Sequence, residues 1–172
     1  MTEKSFRLYS YRWVVLGVFM FINLTIQMLW IAYAPITGPA AAFYGVTDLQ
    51  IGLLAMTFML AFIPLSLPVS WAIDTYGFRL TVGIGAVLMA IFGVLRGLAG
   101  ADYNLVLAAT IGLAAAQPFL LNAWTKVPAQ WFSVEERATA VGLVTLANLV
   151  GTALGMVLTP LLTETMSIPQ VQ

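Results

Sequence analysis

Asn23, Gln27, Trp30 and Ala34 fall at i, i+4, i+7 and i+11 within one apolar run, so two amides and an indole share a helix face. An indole ring attracts organic cations and amides form hydrogen bonds, which is the chemistry of binding rather than of bond making. Tyr33 is nearby, about 60° off that stripe at 100° per residue. A second group stands further along the chain: Gln117 beside Pro118, with Asn122 five residues on and about 140° round the helix. Pro118 withholds an N–H from the helical ladder, which leaves a backbone carbonyl free to accept from a ligand. Two accounts are open for these residues. Trp30 is a surface for a cation or a residue of the interfacial aromatic belt; the amides are ligand contacts or interhelical bonds of about 0.6 kcal/mol each.

What is absent narrows the chemistry further. The 172 residues contain no cysteine and no histidine, which excludes a disulfide framework, a Cys/His zinc site, a thiol nucleophile and imidazole acid–base work. No Asp or Glu lies deep within an apolar run, so no carboxylate stands where a proton pump would need one. The seven basic and seven acidic residues cancel, which argues against a nucleic-acid partner. No catalytic constellation and no resident cofactor are expected.

The elements that must position these groups are membrane helices. The composition is 61% hydrophobic and 8% charged, with a mean hydropathy of +0.96, against roughly 25% charged in soluble domains. The lipid bilayer is therefore the expected solvent. Charged and Gly/Pro punctuation cuts the chain into five runs of about 20 residues or more, the length that crosses a bilayer. They cover residues 13–34, 49–73, 78–98, 104–124 and 138–162, preceded by an N-terminus of residues 1–12 and followed by a polar tail of residues 163–172. The N-terminus is basic, but the apolar run behind it is too long for a signal peptide and is read as a retained first span.

Basic residues in short loops stay on the cytoplasmic side. Lys4, Arg7 and Arg12 precede the first run, Arg79 separates the second from the third, and Lys126 and Arg137 separate the fourth from the fifth. A multi-pass protein of the cell membrane with a cytoplasmic N-terminus is expected, its tail on the far side with Asp48, Asp102 and Glu164. Arg96 falls towards that far side and is expected to snorkel to the surface.

Local signals add detail. Ser133 and Glu136 have the spacing of a capping box, so the fifth helix should start there, after an amphipathic KVPAQWF segment lying along the interface. Pro64 and Pro68 stand one turn apart in the second span, where Ser66 and Ser70 could bond the freed carbonyls of a bent helix. Ala147, Gly151 and Gly155 form a small-residue stripe for close helix packing. Asp74, Gly77 and Arg79 lie in a very short link, where glycine permits a tight reversal and the charges can cap helix ends or pair across a helix seam.

That Asp-x-x-Gly-x-Arg link between the second and third spans resembles the signature loop of the major facilitator superfamily, with Ser70, Thr75 and Leu80 departing from its fuller form. A longer likeness runs through YRWVVL, Trp30-Ile-x-Tyr33, FYGVTDLQIGLLAM, PVSWAIDTYGFRLT, Ala116-Gln117 and Trp131-Phe132. In these the chain is similar to solute carrier family 49, the feline leukaemia virus subgroup C receptor-related transporters. The resemblance implies an all-α fold of two six-helix halves that moves a small-molecule substrate by alternating access. It makes Asp74, Gly77 and Arg79 a conformational-switch loop and Trp30 and Gln117 substrate contacts, with Gln27, Tyr33 and Asn23 as further candidates. It also implies a choline- or ethanolamine-like amine as substrate. Haem, also proposed for the family, fits less well in a chain without histidine. Five spans are most of one half, so the chain is expected to be the N-terminal portion of a longer carrier, completed by C-terminal helices or by another protomer. The alternative is a non-transporting membrane partner or receptor subunit that associates through the Gly151 and Gly155 face.

Overall fold

The computed structural model describes residues 10–171, and every regular element among them is helical. Lys4 and Arg7 of the expected cytoplasmic N-terminus lie outside the described residues. The first span is two pieces: α1 (Arg12–Ile31), then a 3-10 turn (Ala34–Ile36) leading into α2 (Thr37–Tyr44). Periodicity alone carries the first helix to residue 34, but Pro35 has no N–H to offer Ile31, so the ladder fails there. α2 ends on Gly45 in the left-handed conformation, a common helix terminator.

α3 (Asp48–Tyr76) begins on a full capping box. The Thr47 hydroxyl accepts from the Gln50 N–H, and the Gln50 side chain accepts from the Thr47 N–H at 2.9 Å. The Thr-x-x-Gln pattern that announces this start is plain in the sequence. α3 stays helical through Pro64 and Pro68, and Ser66 and Ser70 bond not to freed carbonyls but to Asn122 of a neighbouring helix. A single residue, Gly77 at φ 86°, separates α3 from α4 (Phe78–Leu98), a reversal that a side chain would strain. α5 (Tyr103–Leu121) starts at Asp102, whose carboxylate accepts from the backbone of Asn104 and Leu105. The short α6 (Lys126–Trp131) precedes α7 (Val134–Thr163), and α8 (Ile168–Val171) closes the described chain. Ser133 does sit at the start of α7, but its side chain caps no backbone group; the hydroxyl donates to the Glu136 carboxylate at 3.3 Å.

Among the described residues five helical stretches are long and apolar enough to cross a membrane: Arg12–Tyr44, Asp48–Tyr76, Phe78–Leu98, Tyr103–Trp131 and Val134–Thr163. Their short links make successive spans antiparallel. In consequence α1 runs parallel to α7, and Arg12 meets Glu136 at 2.9 Å at one end of the bundle. Likewise α3 runs parallel to α5, and the Tyr103 hydroxyl donates to the Gln50 carbonyl at 2.7 Å at the other end.

The packing is layered along the helix axes. Leu16, Phe19, Val127 and Phe132 fill the end near Arg12; Ile26, Phe58, Leu113 and Leu120 fill the middle; Tyr33, Tyr44, Ile51 and Val106 fill the far end. Outside these layers the surface is apolar rather than polar, with Leu67 80% exposed and Leu98, Phe21 and Leu149 similarly bare. Water would oppose so much exposed hydrocarbon, whereas acyl chains accept it. The molecule is an all-α, multi-pass membrane protein.

Candidate functional site

A cavity of about 380 Å³ opens in the middle of the bundle, and its wall is built by three helices. α1 contributes Gln27 and Trp30, α3 contributes Phe58, Met59, Phe62 and Ile63, and α5 contributes Gln117 and Leu121. Gln27 and Trp30, Phe58 and Phe62, Met59 and Ile63, and Gln117 and Leu121 are each three or four residues apart, so each helix turns one face to the same space. Two amides and an indole thus face a predominantly apolar, aromatic hollow, the usual make-up of a small-molecule site.

The amide of Gln27 is free to bind something. The carbonyl oxygen of Gln27 is buried without a hydrogen-bond partner. Gln117 is buried and lines the same cavity. A buried amide oxygen left unpaired costs about 1–3 kcal/mol, a penalty that a hydrogen bond from a side chain, water or ligand would remove. Trp30 is instead anchored: its indole N–H donates to the Ala55 carbonyl of α3 at 3.3 Å, which fixes the ring and leaves its π face for a guest. The cavity carries no charged side chain, so a cation entering it would be met by ring faces and amide oxygens.

The other residues singled out from the sequence sit elsewhere. Asn23, on the same α1 stripe but one turn towards the Arg12 end, is wholly buried; its amide donates back to the Phe19 carbonyl at 2.9 Å. Tyr33 lies beyond the end of α1, where extrapolating 100° per residue no longer holds. Its ring is buried, and its hydroxyl meets that of Tyr44 at 3.1 Å. Asn122 bonds the Ser66 carbonyl at 2.8 Å and the Ser70 hydroxyl at 3.0 Å, which ties α5 to α3 and makes it interhelical glue.

Around the tight link the charges do not pair with each other. Asp74 takes Lys126 at 2.5 Å, joining the end of α3 to α6, while the Arg79 guanidinium lies 5.3 Å from the centre of the Trp131 ring. Both members of the Asp74–Lys126 pair are well exposed, so its contribution is small.

The glycine stripe lies inside the bundle. A β-carbon on Gly151 would stand 2.3 Å from the Leu24 carbonyl oxygen, and one on Gly155 would stand 2.5 Å from the Ile31 side chain. That face therefore belongs to the α1–α7 seam and is not open to an outside partner.

Arg96 corrects the expectation of snorkelling. It is 1% exposed, with one guanidinium nitrogen donating to the Leu29 carbonyl at 3.0 Å and the group lying 5.5 Å from the Tyr33 ring centre. A polar backbone target within reach held it inside. The aromatic residues of α3 that line the cavity were also missed, although Phe58 and Phe62 are spaced one turn apart in the sequence.

Residues 15–171 match the profile of the Major Facilitator Superfamily. The choline/ethanolamine transporter FLVCR1 of Felis catus is 35% identical over 154 residues, covering 88% of this chain and 27% of that protein. The choline/ethanolamine transporter flvcr2b of Danio rerio is 32% identical over 164 residues, 94% of this chain and 34% of the relative. Solute carrier family 49 member A3 of Danio rerio is 32% identical over 165 residues, 91% of this chain and 35% of the relative. The chain thus spans between 27% and 35% of the length of these relatives.

Proposed function

The chain belongs to the Major Facilitator Superfamily, and from that premise we propose that it supplies the N-terminal part of a carrier for a small organic amine of choline or ethanolamine type. The observation that carries this reading is that one cavity is walled by Gln27, Trp30 and Gln117 together. Residues about ninety positions apart in sequence meet there, and their chemistry suits a compact cation: a ring face for the ammonium and amide oxygens for a hydroxyl. Two of the relatives named above are choline/ethanolamine transporters, which supports the same substrate class. In this reading the substrate enters the hollow from one side of the membrane and leaves from the other as the helices that bear the wall rock. Asp74, Gly77 and Arg79 act in that movement as the link that relays tilt between α3 and α4. Residence in the plasma membrane with a cytoplasmic N-terminus completes the proposal.

Uptake of labelled choline by cells expressing the full-length carrier that contains this chain tests it. Saturable uptake is expected, with Trp30→Ala raising KM about tenfold, the range of a desolvated cation–π contact, while surface expression persists. Normal transport by Trp30→Ala would remove the cation site from Trp30.

A further inference from the structure

We infer that Arg96 is a positioning residue for the amine site: it holds the C-terminal end of α1 and so fixes the orientation of Trp30. The inference rests on the functional reading above, and the geometry behind it is separate from the cavity itself. α1 ends at Ile31, so Leu29 belongs to the last turn, whose carbonyls have no helical N–H above them. Pro35 deepens that deficit by withholding the next donor. Arg96, from the last turn of α4, reaches across and donates to the Leu29 carbonyl at 3.0 Å. A cation at a helix C-terminus also meets the negative end of the helix dipole.

The guanidinium is packed as well as bonded. It lies 5.5 Å from the centre of the Tyr33 ring, which is itself tied to Tyr44 of α2 through their hydroxyls. One arginine therefore touches both sides of the break, the last turn of α1 and the residue that begins the turn into α2. No carboxylate pairs with it among the described residues, and its Nε and second Nη have no partner. A buried cation with neither counter-ion nor full hydrogen bonding is costly, and its removal in favour of an apolar side chain would be neutral or favourable if packing alone mattered. Its place at the break suggests a role beyond packing.

The link to the site is covalent and short. Trp30 follows Leu29 directly, and its indole must align with the Ala55 carbonyl 3.3 Å away while presenting a face to the cavity. Loosening the last turn of α1 lets that residue rotate, and the ring face swings off the guest. The cavity wall on α3 and α5 is untouched. Such a defect weakens binding without altering how fast a loaded carrier turns over.

Two measurements on the full-length carrier that contains this chain test this: choline uptake kinetics per surface copy in cells, and hydrogen–deuterium exchange across residues 29–37 of the purified protein. Arg96→Met, which keeps bulk but no donor, is expected to raise KM about tenfold, the loss of one hydrogen bond to a charged group, with Vmax per copy within about twofold of the parent. Exchange over residues 29–37 should quicken. Arg96→Lys keeps the charge and a donor but not the planar fork, and is expected to leave KM about threefold above the parent, with exchange quickened less than in Arg96→Met. An unmoved KM with unchanged exchange in Arg96→Met overturns the inference, as does a fall in Vmax alone. If Arg96→Met fails to reach the membrane, Arg96→Lys decides: a threefold higher KM with quicker exchange supports the role, and parental values of both reject it. Absence of choline uptake by the full-length carrier without substitution refutes the functional reading instead, and exchange in the Arg96 variants then decides whether the arginine holds the break.

Discussion

Trp30 and Gln117 divide the proposed recognition between them: the indole supplies attraction for positive charge, and the amide supplies direction. The division predicts different responses to truncation. Gln117→Ala should weaken uptake of a hydroxyl-bearing amine by about tenfold, the value of a hydrogen bond to a polar ligand in a dry site, yet barely affect an amine that lacks the hydroxyl. Comparing KM for the two amines in the variant checks this, and equal losses for both would assign Gln117 a packing role. At this scale the sequence was readable where the helix was regular. The i, i+3 relation of Gln27 and Trp30 held because α1 is continuous through both. Tyr33 was misplaced because the helix had already ended, and Arg96 was misread because an unpaired carbonyl on another helix leaves no trace in the local sequence.

Among the elements, the α1–α7 seam does most to hold the cavity wall in place. Gly151 lets the two backbones approach so closely that a single methyl would collide with the Leu24 carbonyl and α-carbon, neither of which can rotate away. Gly151→Ala should therefore destabilise the detergent-solubilised protein by about 1–3 kcal/mol, the usual cost of overpacking. Gly142→Ala, on the same helix with open space around it, should leave thermal stability unchanged or raise it by up to about 1 kcal/mol through helix propensity. Equal effects at the two positions would deny the seam its role. Small-residue spacing announced this contact in the sequence, but not that the partner was α1, since pairing between helices over a hundred residues apart follows from the whole bundle. The break after Ile31 was equally available in Pro35, whereas the capping of α7 was not: Ser133 turned its hydroxyl to a side chain instead of the backbone.

For the molecule as a whole, composition and punctuation were sufficient to give a multi-pass all-α membrane protein, because only helices of that length and apolarity satisfy their backbone in lipid. Orientation is the part that charge counting proposes and packing cannot decide. These 172 residues contain no cysteine, so a thiol introduced among them is the one thiol of this part of the carrier. Thr75→Cys and Ala101→Cys, at exposed positions at opposite ends of the bundle, should react with a membrane-impermeant maleimide from opposite sides, Ala101→Cys from outside the cell. Reaction of Thr75→Cys in intact cells would invert the topology.

The central claim is that the cavity between α1, α3 and α5 holds a small organic amine, and Phe62 on its wall offers the most direct probe. A single Phe62→Cys thiol should be protected from alkylation by choline, with half-protection near the uptake KM, and Trp30→Ala should abolish that protection. Alkylation at the same rate with and without choline, in a protein that still transports it, would place the substrate elsewhere.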